Sequence, residues 1–129
     1  MVIKTGDVIN LSAGSHTFSD NAKLATIETI NANSSSTTLD LTNQVEGFTV
    51  AGGSQADNIT GGSGNDIITG GDGNDSITID TDTDKINDLG GSTGNDQDVV
   101  VVKAGATLNA INIIGFTATN STQNNSTGA

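Results

Sequence analysis

Three nine-residue blocks stand head to tail in the middle of this chain, and they constrain its fold more than any other feature. Gly52-Gly53-Ser54-Gln55-Ala56-Asp57-Asn58-Ile59-Thr60 is followed by Gly61-Gly62-Ser63-Gly64-Asn65-Asp66-Ile67-Ile68-Thr69 and then by Gly70-Gly71-Asp72-Gly73-Asn74-Asp75-Ser76-Ile77-Thr78. The last two match G-G-x-G-x-D-x-U-x, with U a large aliphatic, at every specified position. The first departs only at its fourth position, where Gln55 replaces Gly. Each block divides into six turn residues and a three-residue strand: Gly frees the backbone for tight turns, while Ile and Thr favour a pleated surface. A short strand and a tight turn recurring at this period predict an all-β solenoid.

The aliphatic phase runs beyond the glycine motif, because Leu41, Val50, Ile59, Ile68, Ile77 and Ile86 are all spaced by nine. In the earlier turns Leu39 and Phe48 stand, by that count, where Asp57, Asp66 and Asp75 stand later, which predicts coils packed without metal. After Thr78 the Gly pair gives way to Ile79-Asp80, although Asp84 and Ile86 keep register, and Gly90-Gly91-Ser92-Thr93-Gly94-Asn95-Asp96 resumes the turn after an insertion. Four regions follow. Residues 1–38 form an irregular β capping region, with short strands and one short helix near 21–31, and 39–100 form the roll. Residues 101–116 form a C-terminal strand region built on Val99 to Val102 and Leu108 to Phe116, and 117–129 a polar tail without apolar content.

Such a core is thin. Phe18, Phe48 and Phe116 are the only aromatic residues, and there is no Cys, Pro, Trp or Tyr, so neither disulfides nor large rings can make up for it. The net charge of -11 comes from 15 acidic residues against 4 basic ones. That balance argues against a nucleic-acid partner. Acids crowd between Asp57 and Asp98, where Lys85 is the only opposing base, so this stretch must stay extended or bind cations. The first residues lack the apolar core of a cleavable signal peptide, and no stretch is long and apolar enough to span a membrane.

Turns of such a roll alternate between two edges, so turns eighteen residues apart stack. That pairs Asp57 with Asp75 and Asp66 with Asp84, and leaves open whether Asp75 also faces Asp96. Two sites are expected and three allowed. Ca²⁺ takes six to eight oxygens at about 2.3–2.6 Å, and each stacked pair offers two carboxylates plus turn carbonyls. The glycines expected to bend those carbonyls toward the ion are Gly52, Gly53, Gly61, Gly62, Gly64, Gly70, Gly71 and Gly73. Without metal, two carboxylates about 4 Å apart repel by roughly 4 kcal/mol at an effective dielectric of about 20, so folding and Ca²⁺ binding should be linked.

The blocks resemble the glycine- and aspartate-rich nonapeptide repeats of the RTX family, closely over 52–78 and more loosely over 39–100. The resemblance implies a parallel β-roll with Ca²⁺ in its turns. It also implies export by a type I secretion system, which needs no cleaved leader.

Other motifs carry less. Asp80-Thr81-Asp82-Thr83-Asp84 begins like an EF-hand loop, but Lys85 stands where that loop needs Gly and Gly91 where it needs Glu. Asp80, Asp82 and Asp88 are therefore expected in solvent, with help to a nearby β-roll site as the alternative. His16 is the only histidine and lies on the surface in this reading, with no partners for a triad or a transition-metal site. An enzyme is not expected. The leading expectation is a secreted structural subunit that folds and self-associates into a homopolymer in Ca²⁺, as in a surface layer, filament or biofilm matrix. The alternatives are an adhesin-like module that holds a cell-surface polysaccharide, disfavoured by the missing Trp and Tyr, and the folding and secretion tail of a larger protein.

Overall fold

A computed structural model describes residues 6–19, 27–32, 35–88 and 97–110 of the protein. Within them the chain runs through β1 (Asp7–Asn10), β2 (Gly14–Thr17), β3 (Ile27–Asn31), β4 (Thr37–Asp40), β5 (Thr49–Gly53) and β6 (Asn58–Thr60). It continues through β7 (Ile67–Gly71), β8 (Ser76–Ile79), β9 (Thr83–Asp88), β10 (Val99–Val102) and β11 (Thr107–Ala110). Odd-numbered strands form one six-stranded sheet, β1-β3-β5-β7-β9-β11. Even-numbered strands form a five-stranded sheet, β10-β8-β6-β4-β2. Neighbours are parallel, as in β5 with β7 and β6 with β8. A parallel pair needs a crossover of about a dozen residues, and here the crossover is a turn, a strand of the opposite sheet and a second turn. The all-strand parallel β-roll is thus the fold.

Alternation along each strand explains the core. In a block the sixth, eighth and next first positions share one face, so Asp57, Ile59 and Gly61 all point inward and all are buried. Stacking turns these positions into ladders. Ile9, Ile30, Val50, Ile68 and Ile86 are register partners in the six-stranded sheet. Leu39, Ile59, Ile77 and Val100 are partners in the five-stranded sheet. Except for the partly buried Ile9, each of these side chains is at most 1% exposed.

The coils are unequal, and this corrects two register expectations. Coils of eighteen residues hold only in the middle, where Phe48 stacks on Asp66, Asp57 on Asp75 and Asp66 on Asp84. Upstream the coil is twenty residues long, so Leu39 pairs with Ile59 in the aliphatic ladder and does not occupy the aspartate position. Thr37 stands there instead. Leu41 is buried, but two residues beyond that ladder. Phe48 does occupy an aspartate position.

The short helix expected near 21–31 is corrected as well. Residues 27–31 are strand β3, whose Ile30 faces the core because it must align with Val50, and 21–26 lie outside the described residues. His16 pairs with Leu39 at the end of the even-strand ladder, is half-buried, and shares a hydrogen bond of 2.8 Å with the Ser12 carbonyl. The polar tail at 117–129 lies outside the described residues.

Candidate metal centre

Turns run along two edges of the roll. The first edge carries Gly52, Gly53 and Asp57, with Gly70, Gly71, Gly73 and Asp75 one coil later. The second carries Gly61, Gly62, Gly64 and Asp66, with Asp84 one coil later. Each aspartate is at most 3% exposed: Asp57 3%, Asp66 1%, Asp75 1% and Asp84 0%. Burying a carboxylate is costly without partners, and the stacking supplies one for each. Oδ1 accepts the main-chain N–H of the equivalent residue one coil earlier. Asp57 accepts from Thr37 at 2.7 Å, Asp75 from Asp57 at 2.8 Å, Asp66 from Phe48 at 2.8 Å and Asp84 from Asp66 at 2.9 Å.

The other carboxylate oxygen turns back into its own turn. A Cβ added to Gly52 would lie 2.9 Å from Asp57 Oδ2, and one added to Gly61 would lie 2.7 Å from Asp66 Oδ2. At Gly61 the aspartate five residues on fills the space a side chain would take, and at Gly52 the Gly70 carbonyl of the next coil crowds it as well. Asp66 Oδ2 accepts the Gly62 N–H at 3.1 Å. Asp57 Oδ2 and Asp84 Oδ2 are buried with no hydrogen-bond partner. Burial raises the pKa of Asp57 and Asp84 above the usual carboxylate range, and pushes Asp66 up to about 7, reinforced by the charges of Asp84 and Asp80.

Asp96 lies outside the described residues. The partner of Asp75 is Asp98, which sequence reading passed over: it is 1% exposed and accepts the Asp75 N–H at 2.8 Å across a coil of 23 residues. Its signal was local. Asp98 precedes Val100 by two residues, as Asp75 precedes Ile77, and Val100 pairs with Ile77. Two asparagines at the fifth block position were also passed over. Asn65 Oδ1 accepts the Thr83 N–H at 3.1 Å and Asn74 Oδ1 accepts the Gln97 N–H at 2.9 Å, tying each turn to the one below.

Asp80 corrects another expectation. Rather than lying in solvent, it has a buried Oδ1 without a hydrogen-bond partner, and Asp82 is half-buried. The side chain of Asp88 lies outside the described residues.

These features suit an oxygen-binding cation. Asp57 Oδ2 and Asp84 Oδ2 are unpaired carboxylate oxygens, and two oxygens bound across one Ca²⁺ at about 2.4 Å each are separated by about the 4.7–4.9 Å spacing of stacked strands. Among the described residues no three Asp, Glu, His or Cys side chains form a ready-made metal group, so turn carbonyls must complete the shell. No helix among the described residues is long and apolar enough to cross a membrane.

Neither a curated protein nor a solved structure matches the chain. Residues 51–86 match the RTX calcium-binding nonapeptide repeat (4 copies), a span that takes in both stacked pairs, Asp57 with Asp75 and Asp66 with Asp84. RTX nonapeptide repeats bind Ca²⁺, and the roll they build is a structural calcium-binding fold. Over that span the chain is similar to the RTX calcium-binding nonapeptide repeats.

Proposed function

We propose that this protein is a secreted calcium-binding structural subunit that folds on meeting extracellular Ca²⁺ and then self-assembles, in a surface layer, filament or biofilm matrix. The observation that carries this reading is the column of aspartates buried on each edge, with Asp57 Oδ2 and Asp84 Oδ2 unpaired. Such a column is stable when a divalent cation neutralises it, so the ion completes the fold. The ligands in this reading are Asp57 and Asp75 on the first edge and Asp66 and Asp84 on the second, with carbonyls of the flanking glycine turns. Asp98 takes the place expected of Asp96 in a third site with Asp75.

Extracellular fluid is where Ca²⁺ is plentiful enough for sites of sensor or module strength, and RTX repeats occur in secreted proteins. Self-assembly is supported by the ends of the roll. Among the described residues β1 and β11 end one sheet and β2 and β10 the other, each paired on one side only. An open parallel edge is a template for another chain.

The test follows far-UV circular dichroism and light scattering together during a Ca²⁺ titration, with EDTA as control. A β signal that grows with Ca²⁺, accompanied by particle growth, is the expected result. A β signal without growth would leave a monomeric calcium module, and no response to Ca²⁺ or EDTA would overturn the metal assignment.

A further inference from the structure

We infer that Asn65 sets the size of ion that the second edge accepts, because it fixes the spacing of the turns that carry Asp66 and Asp84 and so favours Ca²⁺ over Mg²⁺. This inference rests on the calcium reading above and deepens it.

The two edges hold their turns together by different means. On the first edge the turns at 52–57 and 70–75 touch main chain to main chain. A Cβ added to Gly71 would meet the carbonyl of Gly53, and one added to Gly73 would lie 2.7 Å from the Ala56 nitrogen. A side chain on the lower turn thus points at the turn above, and only glycine allows so close an approach. The fifth residue of the upper block is here Ala56, which offers no side-chain acceptor. On the second edge the lower turn, Ile79-Asp80-Thr81-Asp82-Thr83-Asp84, contains no glycine, so glycine contact cannot set its distance. The fifth residue of the upper block is there Asn65, and its amide reaches down instead: Oδ1 accepts the Thr83 N–H at 3.1 Å. Asn74 makes the same bond to Gln97, at 2.9 Å, where an insertion lengthens the coil.

Asn65 completes a set of bonds around the aspartate pair. The Thr83 N–H donates to Asn65 Oδ1, the Asp66 N–H donates to Asp84 Oδ1 at 2.9 Å, and the Lys85 N–H donates to the Asp66 carbonyl at 2.8 Å. One side chain reaches down and the other up, so the two turns can neither part nor slide. Ion size then decides what fits between them. Two oxygens on opposite sides of Ca²⁺ at about 2.4 Å are separated by about the 4.7–4.9 Å spacing of stacked strands, whereas across Mg²⁺ at about 2.0–2.1 Å they must come to about 4.1 Å. Selectivity between these ions follows the size and flexibility of the site, and the Asn65 bond limits that flexibility. Asn65 does not touch the ion; it is a positioning residue that acts through Thr83 on Asp84.

The test starts from the Ca²⁺-saturated protein, so that the fold is complete, and adds Mg²⁺ while amide NMR signals are followed residue by residue. In Asn65→Ala the signals of 61–66 and 79–84 should leave their Ca²⁺-bound positions at a Mg²⁺ to Ca²⁺ ratio about three- to tenfold lower than in the wild type, the factor that corresponds to one hydrogen bond. Those of 52–57 and 70–75 should respond as in the wild type. Asn65→Ser, too short to reach Thr83, should repeat the result and guards against an alanine variant that fails to fold. Asn65→Asp keeps an acceptor of the same reach and should need at least as much Mg²⁺ as the wild type. Ala56→Asn, placed where glycine contact already sets the spacing, should change neither edge. A merely structural role would shift both edges together, or lower the urea midpoint without moving the ratio. Either result would overturn the inference while leaving calcium binding intact, as would Asn65→Asp behaving like Asn65→Ala. A wild-type protein that gains no β signal in Ca²⁺ would instead remove the reading on which it rests.

Discussion

Asp66 shows how one buried carboxylate links pH, metal and fold. Its side chain is 1% exposed and its pKa is pushed up from 3.8 to about 7, first by burial and then by the charges of Asp84 and Asp80, against hydrogen bonds from the Phe48 and Gly62 N–H groups. Below the unfolded value both states carry the proton and Asp66 takes nothing from stability. As pH rises the unfolded chain ionises first, so the metal-free fold loses stability until the folded group ionises near neutrality. The full loss is on the order of 4 kcal/mol for a shift of about three units. Asp57 and Asp84, also raised by burial, add in the same direction. In EDTA the urea midpoint should therefore fall as pH rises from about 4 to about 7. In saturating Ca²⁺ the trend should reverse, because the ion binds the ionised carboxylates. A midpoint in EDTA that rises with pH would contradict this account. Asp66→Asn offers a second check, since asparagine can still accept the Phe48 N–H: it should flatten the pH trend in EDTA and weaken the Ca²⁺ response.

At the scale of the turn, close stacking fixes the sequence more tightly than the strands do. Gly71 combines φ +100° with a Cβ position that would meet the carbonyl of Gly53 in the turn above, whereas Gly105 has φ +89° but only Thr81 Cγ2 nearby, at 3.9 Å. Gly105→Ala should cost about 1 kcal/mol from backbone conformation alone, and Gly71→Ala about 3 kcal/mol or more, because the coil spacing must also give. Urea unfolding in saturating Ca²⁺ measures both; equal losses would show that stacking does not constrain the turn. The same close stacking sets what could be read from the sequence. Glycines packed turn on turn leave a strict period, so the parallel roll, the pairing of Asp57 with Asp75 and that of Asp66 with Asp84 were legible over 52–86. Upstream the coil lengthens to twenty residues. A nine-residue count then put Leu39 at an aspartate position, whereas the pleat puts it over Ile59. Asp98 was hidden by a longer insertion, though its spacing to Val100 carried the pattern. For Asp80 the sequence left two readings, a solvated acid or a helper of a nearby turn site, and only the stacked coordinates show its buried oxygen.

At the scale of the roll, the described residues leave β10 paired on one side only, and that edge allows assembly to be separated from folding. In a parallel ladder alternate residues turn their main-chain groups to opposite neighbours. Val99 N–H donates to the Asp75 carbonyl and Lys103 N–H to that of Ile79, each at the β8 side. By this alternation the N–H of Val102 faces away from β8, where the described residues provide no strand. Val102→Pro removes that donor and keeps the β8 ladder, and proline suits the extended backbone of an edge strand. The variant should keep a Ca²⁺-dependent circular dichroism change close to that of the wild type, while losing most of the particle growth seen by light scattering. Val101→Lys, on the outward face of β10, should slow growth less, since it adds charge near the edge, spares the Val102 side chain that packs against the core, and leaves the donor in place. If both variants assemble like the wild type, the contact between subunits does not run through β10. If Val102→Pro abolishes the Ca²⁺-dependent signal as well, this edge belongs to the fold of the single chain, because a strand needed only between molecules can lose its outer donor without unfolding the coils beneath it.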